Sequence, residues 1–364
     1  CSTHRFESLG LTAPAFVIDE FQVLSRPAVT VYYEPEHKQY AENYAAAVEA
    51  VQPFISEWFG PNREKVRIVE LDQPGAAPEE SGSMLLTPLG PGDSAELEAA
   101  VVHQVAHAAF SSFRPWMEEG LAQFAQAVWR ERRQGRQKAL EFLGAQLPAL
   151  VGAEKQACEA NKASGSQDSS SRQTKLAPVI TQACGGGGPL MAAYDEVNSH
   201  IKAAYVWWML RDMVGDAPLQ RAIQSYRADQ DKEPAYFQNL LKAQSHQDLE
   251  WFFDDWVYRD RGLPDFRVLS VYPRESLGGG YVVTVTVENQ GNAGADVPVM
   301  AIAPEGEKLA RVYVPKNSSA AIRIQIATRP AEAAVNDGSV PESDRSNNEF
   351  KVAGERQSPE EPGK

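Results

Sequence analysis

The sequence predicts an α+β chain in two parts, a mainly helical domain led by short strands and then an all-β sandwich. Three observations predict it. Between Tyr44 and Asp260, long stretches carry apolar residues at helical spacing. Near Asp265 the pattern changes to alternation, as in Tyr281-Val282-Val283-Thr284-Val285-Thr286-Val287. A length of 364 residues suits two or three domains.

The elements follow in order. Ala15-Phe16-Val17-Ile18 and Val29-Thr30-Val31-Tyr32-Tyr33 are β-like runs separated by Pro27. Tyr44, Val48, Val51, Ile55, Trp58 and Phe59 line one face of a helix that Gly60-Pro61 ends. Val66 to Leu71 reads as a strand, and residues 73–93, rich in Pro and Gly, read as a loop. Helix is expected from Ser94 to about Gly144, with a break at Arg114-Pro115. Residues 152–190 read as a low-complexity surface loop ending in four glycines. Residues 195–260 return to helix, with stops at Gly215 and Gly262. Strands are then expected at 281–287, 297–302, 310–314 and 322–326, spaced as in a small antiparallel sandwich. The resulting division is an N-terminal segment 1–28, a first domain 29–265 with insertion 152–190, a sandwich 266–354 and a disordered tail 355–364.

Composition excludes some functions. With 35 basic against 49 acidic residues, the net charge of −14 repels phosphate backbones, so nucleic acid is not an expected partner. No apolar run reaches the roughly 18–20 residues of a membrane-spanning helix. Of the three cysteines, Cys158 and Cys184 flank the polar insertion, where they form a disulfide in an oxidising compartment or stay as two thiols. Trp207, Trp208 and Met209 read as core, and His4, His37 and His246 as surface residues.

The chemistry concentrates in His103-Gln104-Val105-Ala106-His107. Histidines at i and i+4 share one helix face, a spacing that suits two imidazole ligands on one zinc ion. Trp116-Met117-Glu118-Glu119-Gly120-Leu121-Ala122 opens the next helix and offers a carboxylate as third ligand. Two His and one Glu leave a position open for water, as in catalytic zinc sites.

Residues 29–260 resemble the gluzincin zinc metallopeptidases, the thermolysin-like and aminopeptidase N-like superfamily, and most closely its peptidase MA-like branch. The hallmarks are an H-E-x-x-H helix and a following W-x-x-E-G-x-A helix. The resemblance implies a thermolysin-like fold, a Zn2+ cofactor held by His103, His107 and Glu119, and a peptide or protein as substrate or partner. Eleven residues separate His107 from Glu119, which matches the short-spaced branch. Ile201 to Tyr205 with Met209 to Arg211 resembles the helix after the active site, and Leu249 to Trp256 its closing helix.

Three departures follow from the same comparison. Gln104 stands where the family has its general-base Glu, and an amide cannot take a proton from water. A natural pseudopeptidase and an engineered Glu→Gln trap read alike here. His200 matches the position of a catalytic Tyr and could donate to an oxyanion, with Tyr194 nearby. The substrate-anchoring G-A-M-E-N segment is echoed only by Gly82-Ser83-Met84, without its Glu. The expected protein is therefore an inactive or attenuated peptidase homologue, or a non-catalytic scaffold or accessory subunit of an envelope complex.

Val285 to Gly294, with its Asn-x-Gly turn, and Glu342-Ser343-Asp344-Arg345-Ser346-Asn347-Asn348 resemble the CARDB group, immunoglobulin-like modules of bacterial surface proteins. This implies an extracytoplasmic binding or spacer module. Asp337, Asp344 and Asn348 read as a solvated acidic turn, with calcium as the alternative. Cys1-Ser2-Thr3 resembles the start of a mature bacterial lipoprotein, which implies membrane association through a lipidated Cys1; a plain processing boundary reads the same way. The β-like run 12–33 would also fit the end of a preceding domain, as in larger family members.

Overall fold

The computed structural model describes residues 17–73, 75–165 and 188–352, without side chains for 160–165. Cys1, His4, Cys184, most of the insertion and the C-terminal tail lie outside the described residues. The chain divides into two units, Cys1–Leu150 with Gly188–Arg259, and Val151–Gly187 with Asp260–Lys364. Helices and sheets are mixed, as expected of an α+β chain.

The first unit opens with a five-stranded sheet. Its strands are β1 (Gln22–Ser25), β2 (Val29–Tyr33), β3 (Val66–Glu70), β4 (Glu79–Ser81) and β5 (Met84–Thr87), in the order β1-β2-β3-β5-β4. β2, β3 and β5 run parallel, and the two edge strands are antiparallel to them. Helix α1 (Lys38–Phe59) connects β2 to β3 and buries Tyr44, Val48, Val51, Ile55, Trp58 and Phe59, the face its periodicity predicts. The expected loop 73–93 is corrected here, because it contains the hairpin β4–β5. Its two-residue turn is Gly82-Ser83, with Gly82 at φ 57°, the left-handed conformation such tight turns require. Three-residue and four-residue strands are too short to show alternation above the Pro and Gly background.

The helical part begins with α2 (Ser94–Ala109), capped by Asp93, whose side chain accepts a hydrogen bond from the Glu96 amide at 2.9 Å. α3 (Pro115–Gln134) starts on Pro115, as the Arg114-Pro115 break predicts, and ends at Gly135. α4 (Arg136–Gly165) corrects the second loop assignment. The insertion begins as helix, because Ala153-Glu154-Lys155-Gln156-Ala157 are good helix formers whatever their complexity. After a π-helical turn over Val197–Lys202 come α5 (Ala203–Val214), α6 (Asp216–Ser225), α7 (Tyr236–Ser245) and α8 (Glu250–Phe253). Trp207, Trp208 and Met209 are core, as expected.

Gly120 explains part of the W-x-x-E-G-x-A pattern. A Cβ there would lie 2.5 Å from the Ala203 Cβ and 3.1 Å from the Trp207 Nε1. Trp116 stacks on Trp207 at 5.0 Å between ring centroids, and the Trp207 indole donates to the Trp116 carbonyl at 3.0 Å. Glu119 therefore sits on a helix whose distance from α5 is set by the residue next to it.

Among the described residues the second unit carries seven strands: β6 (Phe266–Glu275), β7 (Tyr281–Asn289), β8 (Ala295–Ala303), β9 (Gly306–Val314), β10 (Ser318–Ile326), β11 (Glu332–Val335) and β12 (Glu349–Lys351). They form one sheet in the order β10-β7-β6 and another in the order β12-β11-β8-β9. Val283, Val285 and Val287 of β7 are fully buried, as are Val297 and Val299 of β8. Glu342 is also buried, tying three segments together: it accepts from Asn336 Nδ2 and Asn348 Nδ2 at 2.6 Å and from the Phe266 amide at 3.2 Å. Asp344 accepts from the Ser346 amide at 2.8 Å and Asp337 from the Ser339 amide at 3.0 Å, so both acidic residues shape turns. Cys158 is disulfide-bonded.

Two outcomes are expected. Gly120→Ala should lower stability by about 1–3 kcal/mol through overpacking, read in denaturant unfolding. Burial pushes the Glu342 carboxyl up to about 7 against its three donated hydrogen bonds. A carboxyl raised on folding is protonated in the native state where the unfolded chain is ionised, so stability falls as pH rises from about 4.5 through about 7. The full loss is on the order of 3 kcal/mol. Thermal melts between pH 4 and 8 should show this slope in the natural chain and not in Glu342→Gln.

Candidate metal centre

α2 carries His103 and His107 on one face, and both are buried. Their Nε2 atoms lie 3.0 Å apart. α3 brings the Glu119 Oε2 to 3.3 Å from His103 Nε2 and 3.2 Å from His107 Nε2. The structure thus gathers the three residues that the sequence singles out as ligands. Donors about 2.0–2.1 Å from a tetrahedral zinc are about 3.3 Å from one another. The observed separations match that spacing, and a two-imidazole, one-carboxylate set suits zinc.

Gln104, one position along α2, is 0% exposed, and neither of its amide atoms has a hydrogen-bond partner. A buried amide without partners costs free energy.

His200 lies on the π-helical turn before α5, with its Nε2 3.2 Å from Glu119 Oε2. Its ring is nearly parallel to that of His103, 6.4 Å away, and its Nδ1 is 3.1 Å from the Ser199 hydroxyl. Insertions of this kind often lie at functional sites. Tyr194, the other candidate, stands 71% exposed and is not brought into this group.

Electrostatics couples these residues. Burial pushes Glu119 up, but hydrogen bonds from His103, His107 and His200 outweigh it and hold the carboxyl far below the usual range. Burial likewise pulls His107 down, while bonds to Glu118 and Glu119 raise it to about 10.

Two carboxylates at the site escape sequence reasoning. Glu118 Oε1 is 3.2 Å from His107 Nδ1, the nitrogen facing away from the centre, and Glu118 Oε2 accepts from the Ser112 amide. Such a partner fixes the tautomer and raises the basicity of a ligating imidazole. The Ser112 hydroxyl is 2.9 Å from the Tyr226 hydroxyl, which donates to Asp231 at 2.8 Å. Asp231 also takes a two-pronged bond from Arg114 at 2.6 and 2.7 Å. This network holds the short connector that sets the spacing between His107 and Glu119. The adjacent pair Glu118-Glu119 was the available signal for it. Glu80 of β4 has Oε2 3.2 Å from His103 Nε2. It had no local signal, since only the sheet brings it there. His37, read as a surface residue, is 41% exposed and pairs through Nδ1 with the buried Glu70.

Removing an outer partner of a ligating histidine typically costs about 10–100-fold in metal affinity. Glu118→Gln should weaken zinc binding by that factor in competition titrations, with the thermal midpoint of the metal-free chain little changed.

Residues 93–256 match the family model described as Peptidase family M1 domain, somewhat less than half of the chain. No curated protein matches the chain. Among solved structures, its fold is similar to aminopeptidase A of Legionella pneumophila in complex with aspartic acid, with TM-score 0.55 and 16% identity over 88% of this chain and 37% of that one. The chain thus spans little more than a third of the length of that structure. The segment carrying His103, Gln104, His107, Glu119 and His200 is therefore similar to the domain of the M1 peptidases, which are zinc-dependent.

Proposed function

We propose that this chain is a zinc metallopeptidase homologue of the bacterial cell envelope whose hydrolytic step is absent or strongly attenuated. The observation that carries the reading is the convergence of His103, His107 and Glu119 at zinc-ligand spacing beside an amide at position 104.

When bound, zinc polarises a carbonyl and lowers the pKa of water towards about 7. The chain's own residues do the rest. His103, His107 and Glu119 hold the ion, and Glu118 orients His107. His200 Nε2 stands 3.2 Å from Glu119 Oε2, so it has to leave that carboxylate before it can donate to an oxyanion formed on a peptide carbonyl. Gln104 can hydrogen-bond the attacking water and cannot accept its proton, which costs about 10²–10⁴-fold in rate. Peptide or protein is the substrate class this arrangement suits.

The envelope location rests on the CARDB-like pattern of the second unit, in which Glu342 and Asn348 bond each other. Among the described residues, no helix is long and apolar enough to cross a membrane. A second reading, a non-catalytic scaffold or accessory subunit of an envelope complex, is favoured by the amide at Gln104. In it the site holds a peptide or a partner loop without cutting it.

The test combines metal content and turnover. The purified chain should hold about one zinc by elemental mass spectrometry, and His103→Ala should lose it. Gln104→Glu should raise peptide hydrolysis by about 10²-fold or more. Equal turnover of the natural chain and Gln104→Glu would contradict the attenuated-peptidase reading. Partner co-purification that survives in a non-hydrolysing chain would favour the scaffold.

A further inference from the structure

We infer that His200 is a positioning residue that holds Glu119 in place as a metal ligand, and that this bond occupies the N–H an oxyanion would need. The inference rests on the metal-centre reading of the proposed function and deepens it. Glu119 Oε2 lies 3.3 Å from His103 Nε2, 3.2 Å from His107 Nε2 and 3.2 Å from His200 Nε2. A carboxylate oxygen has two lone pairs, so it cannot accept from three imidazole N–H groups at once. A divalent cation removes the conflict. His103 and His107 then offer lone pairs to the ion and no proton to Glu119. One lone pair of Oε2 goes to the ion, and the other accepts from His200.

His200 stands outside the ligand set. Among the described residues, the group whose ligand atoms all lie within 4.8 Å of one another is His103, His107 and Glu119, without His200. An ionised carboxylate only accepts, so the contact fixes a proton on His200 Nε2. On the far side of the ring, Nδ1 faces the hydroxyl of the buried Ser199 at 3.1 Å, which orients the imidazole. The backbone supplies the placement. The Ala203 amide reaches back to the Asn198 carbonyl, five residues earlier, across the turn that carries His200. That π-helical turn is wider than an α-turn, and it shifts His200 relative to the helix that follows.

One imidazole N–H cannot serve a ligand carboxylate and an oxyanion together. Holding the metal and stabilising the oxyanion therefore compete for His200. Position 200 and the amide at Gln104 then point the same way, since the first withholds an oxyanion donor and the second a base. Neither occupies the position left for water, so a base restored at 104 still has water to activate.

The test uses the full-length chain loaded with Zn2+ or Co2+. Loss of an outer hydrogen-bond partner of a ligand typically costs about 10–100-fold in metal affinity, so His200→Phe should weaken zinc binding by that factor in competition titrations. A residue that served the oxyanion alone would leave this affinity unmoved. His200→Gln places an amide N–H near the position of Nε2 and should restore most of the affinity. The side chain is 27% exposed, so neither change opens a cavity in the core. The visible spectrum of the Co2+ form should change in His200→Phe and much less in His200→Gln. Equal zinc affinities of the natural chain and His200→Phe, or an equal loss in His200→Phe and His200→Gln, overturn this inference alone. Failure of the natural chain to bind either metal overturns the metal-centre reading and this inference with it.

Discussion

The site depends on holding two buried imidazoles and a partly buried carboxylate within hydrogen-bond distance of one another. Such groups are costly to remove from water unless each finds a partner. Here His103, His107, His200 and Glu119 share their polar atoms, and Glu118 takes the outer nitrogen of His107. Holding them requires rigid supports on every side. α2 is buried around most of its circumference, which is why its apolar residues are not confined to one stripe.

The supports are made by packing and by a polar chain. Gly120 lets α3 approach the start of α5, and the stacked pair Trp116 and Trp207 locks that approach. Glu118, Ser112, Tyr226, Asp231 and Arg114 form one connected hydrogen-bond path through the connector between α2 and α3. A ligand carboxylate on a separate helix is useful only if that helix is fixed to within fractions of an ångström. Both devices act on the first two turns of α3.

The second unit shows a similar economy on a smaller scale. One buried carboxylate, Glu342, ties the first residue of β6 to the segments around Asn336 and Asn348. The E-S-x-x-x-N-N pattern was visible in the sequence as a motif. Its physical content, a carboxylate accepting from an asparagine six positions on, needed the fold.

Much of the architecture was legible locally. The faces of α1 and α5, the alternation of β7 and the start of α3 at Pro115 follow from period and punctuation. Short elements were not, because β4, β5, β11 and β12 span only three or four residues each. The helical start of the insertion was hidden by composition.

By itself the sequence determined which groups could bind metal from α2, because i and i+4 share a helix face whatever surrounds the helix. It also determined that the residue between them is an amide and not a carboxylate. The tertiary structure alone decided that Glu80 and Glu118 join those histidines and that Tyr194 does not. The reason is physical. Helical and strand periods govern neighbours a few residues apart, whereas a carboxylate more than twenty positions away arrives only through the path of the chain and the register of a sheet edge.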